Sequence, residues 1–253
     1  NRPLLAVILA NFFNSFKSVG GSSESYFWLN NTGSLLNQTI CGLFTGIPNY
    51  IMVPVAAKMV KKWGARATSI IAGLFGFFAY MTLFFVGFHP FGQTFKDHYI
   101  FNLIWVIFGL TICGLPNKIL NVSGQIVTAE ALDYMEWKHG LRNEALVTTV
   151  QGYFGKLATS VTGWLSGMVL TWINYVPLTD SLGNAIPQTD PTMLNGIWAI
   201  FCILPALARG LYGVSFIIYP IHGDLQQQMI VELAEKRAQR LAEQDAKDHQ
   251  ANA

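Results

Sequence analysis

Apolar side chains run through this chain in long blocks, without the alternation of a surface strand or the narrow stripe of a soluble helix. Six blocks, roughly 4–29, 38–60, 67–88, 99–127, 145–173 and 193–220, reach the ~20 residues that a helix needs to cross a hydrocarbon core ~30 Å thick. Lipid offers no partners to backbone N–H and C=O groups, so spans of this length must be helices, packed through small residues where they touch. The predicted fold class is an all-α membrane protein: residues 1–222 form a bundle of six transmembrane helices, and 223–253 form a polar tail with helix-forming residues. The third block, "ATSIIAGLFGFFAYMTLFFVGF", carries no charge and reads as a lipid-facing helix at the periphery. In the tail, Leu225, Met229 and Leu233 make a narrow apolar stripe. It reads as a solvated helix leaving the membrane, with a partner-binding coil as the alternative.

Composition supports the membrane reading. Of the 253 residues, 52% are hydrophobic and 12% charged, against about 25% charged in soluble domains. A net charge of +2, with no run of Lys and Arg interleaved with aromatics, excludes a nucleic-acid footprint. Cys41, Cys113 and Cys202 stand alone in apolar stretches, without metal-ligand spacing, and read as small buried hydrophobes. No HExxH, P-loop or partnered GxSxG is present, so no enzyme, metal site or organic cofactor is expected. Outside the spans, eleven Lys and Arg fall on one side and Lys96 alone on the other. The positive-inside rule then puts both termini and the 61–66 and 128–144 loops in the cytoplasm, leaving 30–37, 89–98 and 174–192 outside. The chain begins with Asn, and a preceding segment is expected.

Charge inside the spans marks the candidate chemistry. Lys17, Lys118, Lys156, Arg209 and Glu24 each cost roughly 2.5 to 3.5 kcal/mol at a helix centre, so each calls for a wet cavity, a partner or a route to the interface. Lys156 lies near the middle of the fifth span, sharing a face with Gly152, Thr159 and Gly163. A groove of small residues there admits another helix, or solvent and ligand. Lys156 then serves a polar central cavity, or it neutralises a buried carboxylate for structural reasons alone. Lys17 and Glu24, seven residues apart on one face of the first span, suit two points along one aqueous path, and Asn11, Asn14, Ser18, Ser22 and Ser23 make that span unusually polar. Lys118 follows Pro116, where a broken turn is expected to expose backbone carbonyls, and Arg209 reads equally as a structural ion partner.

The densest charge lies in "AEALDYMEWKHGLRNEALVTTVQGYFGK", residues 129–156. Oppositely charged groups at facing helix ends can lock a cytoplasmic mouth and release it when the helices rock apart; the alternative is a solvated hairpin with surface pairs worth about 0 to 1 kcal/mol each. Glu130-x-x-Asp133-Tyr134-x-Glu136, Gly140-x-Arg142-x-Glu144, then Gln151 and Lys156, resemble the loop and following helix of the glycoside-pentoside-hexuronide:cation symporters, relatives of the melibiose carrier in the major facilitator superfamily. "KMVKKWGARA" and "IYPIHGD" agree with it, so that the resemblance covers the whole chain as the C-terminal six of the family's twelve helices.

The resemblance implies secondary active transport of a sugar or glycoside coupled to Na+ or H+, by rocking of two halves about a central site in a bacterial cytoplasmic membrane. It makes Lys156 the intramembrane lysine beside the sugar and cation sites, and Gln151 a sugar-contacting position. Asn121 stands where the melibiose carrier has an aromatic sugar contact. Glu130, Asp133 and Arg142 match the cytoplasmic gate, with Glu130 in place of an Asp. The acidic cation ligands and main sugar-recognising carboxylates belong to the other half, which is the expected partner along with the substrate and the bilayer. The alternatives are a carrier of a lipid or organic anion on the same fold, and a non-transporting six-helix scaffold.

Overall fold

The computed structural model describes residues 2–86, 98–140, 142–182, 185–187 and 189–251. The expected connection at 89–98, with Lys96, lies outside them except for His98. The described residues are helical apart from a few turns and one pair of two-residue strands, the all-α class expected.

The first span is two helices, α1 (Arg2–Ser15) and α2 (Lys17–Thr32). Between them Phe16 N–H bonds to Phe13 O and Val19 N–H to Phe16 O, both at 3.1 Å. This i→i−3 spacing marks a tightened turn. Serine hydroxyls that compete for backbone carbonyls flank it: Ser15 donates to Asn11 O at 3.0 Å and Ser18 to Ser15 O at 2.6 Å. The irregular turn sets Lys17 at a helix start in the middle of the span.

The second and third spans form α3 (Leu36–Val86), continuous except at Gly64, whose φ of 81° and ψ of 161° no L side chain adopts comfortably. Contacts with α4 (Tyr99–His139) show that the two halves of α3 run antiparallel. Asn37 donates to the Tyr99 hydroxyl (2.8 Å) and Asn49 packs on Gly114, so the first half runs along α4. Leu83 packs on Gly109 and Ser69 donates to Ser123 (2.9 Å), so the second half runs against it. Gly64 is therefore the hairpin between two spans. The uncharged second half is two-faced: Ala65, Ala72, Gly73 and Leu83 are buried, while Phe75, Phe78 and Phe85 are exposed. Helix α4 continues through Pro116 without the broken turn expected there. At 41 residues it is about 60 Å long, twice the hydrocarbon core, so its C-terminal third projects beyond the span.

Helix α5 (Glu144–Trp172) starts at an Asn143 cap, whose side chain accepts from Leu146 N–H at 2.9 Å. Among the described residues four stretches are both long and apolar enough to cross a membrane: 2–32, 36–86, 99–139 and 191–218. Helix α5 has the length, but Gly, Ser, Thr and Lys156 dilute its hydrocarbon. It leans on the first span through Ser22–Ser166 (3.1 Å) and an apolar cluster of Val19, Val169 and Ile200, leaving the opposite face open. The strand pair β1 (Leu178–Thr179) and β2 (Ala185–Ile186) lies in the 174–192 connection. Helix α6 (Pro191–Ser215) is the most buried, and Gly73 and Gly213 bring it so close to α3 that a Cβ on Gly73 would lie 2.7 Å from Gly213 Cα. A 3-10 turn at Phe216–Ile218 ends it, with Arg66 donating to Phe216 O (3.1 Å) and Ile217 O (2.8 Å).

Two apolar clusters anchor the bundle. One joins Leu120, Val127, Tyr212, Phe216 and Tyr219 near the charged end; the other joins Phe27, Trp28, Val106, Trp198 and Phe201 toward the opposite end. The three cysteines are free and buried, as expected. The tail forms α7 (Asp224–Ala251) and does not leave as a solvated helix: Met229 and Leu233 are buried, and the helix lies along the projecting part of α4.

Candidate functional site: two polar cavities and a charged helix end

The larger cavity, about 370 Å³, opens between α2, both halves of α3, α4 and α6. Lys17, Glu24 and Arg209 all line it, with Asn49, Asn117 and Tyr80. Lys17 and Glu24 thus share one polar space, as their seven-residue spacing predicts. Arg209, which reads from sequence equally as a structural ion partner, is 2% exposed and among the described residues makes no ion pair. Its Nη1 donates to Asn14 Oδ1 at 3.0 Å, while Nε is buried without a partner. Gly76 makes room for its stem: a Cβ there would lie 3.1 Å from Arg209 Cγ. Among the described residues no ion pair involves Lys17, Glu24 or Arg209; all of them lie at the charged end.

A second cavity, about 200 Å³, is lined by Asn11, Asn14, Asn121, Gln125, Gln151 and Thr128, with Leu120, Gly124 and Tyr212. Here α1, α4 and α5 converge, each supplying amides. Gln151 and Asn121, picked out separately from sequence, meet in this space. The signal for the rest was helical spacing: Asn121, Gln125 and Thr128 stand at i, i+4 and i+7 on one face of α4, and Asn11 and Asn14 at i, i+3 on α1. The Gln151 Nε2 group is buried with no partner. Such amides present both donors and acceptors, the complement of a polyol. Asn14 borders this cavity and holds Arg209, which joins the two spaces.

Three candidates lie elsewhere. Lys156 and Gly152 sit on the exposed face of α5, with nothing within 4 Å of a Cβ at Gly152, and line neither cavity. Lys118 places its ammonium 4.7 Å from the centre of the Tyr50 ring, a cation–π contact to α3 outside both linings.

At the charged end the expected gate residues divide. Arg142 donates to Asp133 (2.8 Å) and Glu144 (2.7 Å), pairing the end of α4 with the start of α5. Glu130 does not meet Arg142; it accepts from the Tyr219 hydroxyl (2.8 Å) and Gln226 (2.7 Å). The hub is Glu136, which takes Arg237 Nε at 3.2 Å and Nη2, Arg240 Nη1 at 3.3 Å, and Arg142 at 3.8 Å. Hydrogen bonding from Arg237, aided by the other guanidiniums, holds its carboxyl below the usual range. Arg237 also bonds Asp133 at 2.8 Å. Trp137 Nε1 donates to Glu232 at 2.7 Å, closing the contact between α4 and α7. The sequence signal was present: Met229, Leu233, Arg237 and Arg240 fall on one face of the tail, so the apolar stripe ends in two arginines.

Known proteins resemble this chain in sequence. An uncharacterized symporter of Bacillus subtilis is 28% identical over 240 residues, covering 93% of this chain and 47% of the relative. The isoprimeverose transporter of Lactiplantibacillus pentosus is 28% identical over 120 residues, 47% of this chain and 23% of the relative. A putative sulfoquinovose importer of Escherichia coli is 36% identical over 89 residues, 33% of this chain and 18% of the relative. The chain thus spans about half the length of the Bacillus subtilis symporter. Residues 1–223 match the profile of the MFS/sugar transport protein family, and with its bundle of apolar helices around polar cavities the chain belongs to that family of membrane transporters.

Proposed function

We propose that this chain is the C-terminal six-helix half of a secondary carrier that moves a sugar or glycoside across a bacterial cytoplasmic membrane, coupled to Na+ or H+. The observation that carries the reading is the convergence of amides from α1, α4 and α5, with Gln151 Nε2 left without a protein partner. A cluster of uncharged donors and acceptors at membrane depth fits hydroxyl groups, which fill it without burying net charge. The relatives named for isoprimeverose and sulfoquinovose, both sugars, support this substrate class.

The open faces support the half-carrier reading. Helix α5 presents Gly152, Gly155, Gly163 and Gly167 with nothing within 4 Å of a Cβ, and the first half of α3 presents Gly42 and Gly46 the same way. Tyr153 and Trp164 on α5 and Leu43 and Ile47 on α3 are exposed beside them. A second six-helix half seats on these two helices, and Lys156 then faces the carboxylates that half supplies. The termini and the charged end are cytoplasmic, and the Asp133–Arg142 pair works there as part of the gate.

The test is gradient-driven uptake of labelled sugars into membrane vesicles holding both halves of the carrier. Uptake is expected to collapse when the Na+ and H+ gradients are dissipated, and when this chain is expressed without its partner half. Gln151→Leu is expected to weaken sugar affinity at least tenfold. Coupled uptake by this chain alone, or undiminished affinity in Gln151→Leu, refutes the reading.

A further inference from the structure

A third cavity belongs neither to the polar spaces within the bundle nor to the Asp133–Arg142 pair. It measures about 320 Å³ and opens where the Gly64 hairpin meets the chain leaving α6, with Trp63, Arg66, Ile70, Ile221, His222 and Gln226 in its walls. The lining includes Arg66 and His222 and no acidic residue. Arg66 is fixed in position: Nε and Nη2 donate to Phe216 O (3.1 Å) and Ile217 O (2.8 Å), which spends two of its five N–H donors on neutral carbonyls. Lys62 sets its ammonium 5.7 Å from the centre of the Trp63 ring, so a second charge stands beside the cavity wall. With Lys58 and Lys61, the hairpin brings four cations together with no acidic residue between them. Among the described residues no ion pair involves any of the four. Topology asks only for positive charge in a loop; it asks for neither a fixed guanidinium nor a cavity beside it.

The surroundings say what kind of anion fits. A Cβ on Gly213 would lie 3.2 Å from Ile70 O, so the close contact of α3 and α6 begins at the cavity wall. Both helices expose hydrocarbon from there onward: Ile71, Leu74 and Phe78 on α3, and Leu211 and Val214 on α6, with Ile218 in the turn beyond. Trp63 is exposed at the rim, and tryptophan favours the boundary between headgroups and hydrocarbon. A soluble anion meets the cations and leaves the apolar surface bare. A phospholipid covers both, and basic pockets at the cytoplasmic ends of membrane helices suit anionic headgroups. Without a carboxylate in the lining, nothing there favours the ammonium of a zwitterionic headgroup over a headgroup of net negative charge.

We infer that this cavity binds the phosphodiester headgroup of an anionic phospholipid, with Arg66 and Lys62 on the phosphate and the acyl chains along α3 and α6. The inference rests on the proposed transport reading for the orientation that places this end at the cytoplasmic leaflet. A lipid seated there ties the Gly64 hairpin to the turn between α6 and α7.

The experiment incubates the purified two-half carrier in detergent with equal amounts of phosphatidylglycerol and phosphatidylcholine bearing the same chains, and counts bound lipid by native mass spectrometry. Phosphatidylglycerol is expected to lead by at least about tenfold in the first lipid bound, because two cations contribute about fivefold each. Lys62→Gln and Arg66→Gln are each expected to cut the preference about fivefold, and Lys138→Gln, which lines no part of this cavity, to leave it unchanged. Inorganic phosphate in excess is expected not to displace the lipid. Equal binding of the two lipids by the parent overturns the inference, whether or not Arg66→Gln folds. Preference that survives in both variants, or falls as far in Lys138→Gln, overturns the assignment to this cavity, and displacement by phosphate overturns the lipid as its occupant. Binding in detergent needs neither transport nor orientation, so it stands or fails apart from sugar uptake. In cells, an impermeant thiol reagent is expected to miss Lys62→Cys; labelling from outside overturns the proposed orientation, and with it the cytoplasmic leaflet, whatever the binding result.

Discussion

Neutralising Glu136 tests what holds α7 against α4. The Glu136 side chain is 6% exposed and accepts from Arg237 and Arg240, which are 43% and 52% exposed. Half-exposed arginines regain water when released, so each pair contributes nearer ~1 kcal/mol than the value for an enclosed pair. The carboxylate regains less, because the glutamine amide in Glu136→Gln would keep its place but offer one neutral acceptor to three guanidiniums. Losing the charge-assisted part of these bonds, within a usual range of about 1.5 to 3 kcal/mol per bond, and discounting for exposure, gives about 1 to 2 kcal/mol for Glu136→Gln. That is a five- to thirtyfold fall in the ratio of docked to released tail.

Backbone hydrogen exchange over residues 226–238, corrected for intrinsic rates, reads this ratio. Glu136→Gln is expected to exchange five- to thirtyfold faster in this segment, with α6 unaffected. The pH dependence follows from the lowered carboxyl. Its contribution is complete above the ordinary glutamate value of 4.5 and is lost as pH falls through the lower value of the folded state. Acidification below that point is therefore expected to release α7 in the parent and to have little further effect in Glu136→Gln. Exchange within twofold of the parent at neutral pH refutes the Glu136 account and assigns the docking to Met229, Leu233 and the Trp137–Glu232 bond.

Gly64→Ala places a Cβ at φ 81°, ψ 161°, and is expected to cost about 1 to 3 kcal/mol, read as a lower thermal midpoint in detergent. Gly73→Ala is expected to cost at least about 2 kcal/mol in the same assay, because its Cβ would meet Gly213 Cα at 2.7 Å and nothing flexible can yield; an unchanged midpoint refutes the close contact of α3 and α6. Arg142→Ala, which breaks the 2.8 Å pair with Asp133, is expected to reduce turnover of the two-half carrier while leaving sugar affinity within a few-fold, and unchanged turnover makes the pair a surface contact only. Lys156→Met keeps the stem on the open face of α5 and removes the charge; it is expected to abolish cation stimulation of sugar binding with folding intact, and stimulation equal to the parent makes Lys156 a structural cation.

What the amino-acid sequence determined alone was whatever depends on one segment and its solvent. Apolar runs of the right length become helices because lipid leaves their backbone no other partner, and this held from α1–α2 to α6. The spacing of Lys17 and Glu24 and the polarity of the first span put both on one cavity, because a helix fixes its own faces. Tertiary structure decided whatever depends on who sits opposite. Pro116 stays inside a continuous α4, and Lys118 rests on Tyr50, since a neighbouring helix supplies the surroundings. Arg209 rests on Asn14 and, among the described residues, on no carboxylate, which depends on what the facing helices carry. Gln151 and Asn121 needed Asn11, Asn14 and Gln125 to become a site. Glu136 became the hub of the charged end only when α7 folded back across about a hundred residues, bringing Arg237 and Arg240 to it. Tail composition alone could not show this: a stripe of two buried apolar residues is too weak to dock by itself, and α4 projecting beyond the membrane gave it a surface to lie on.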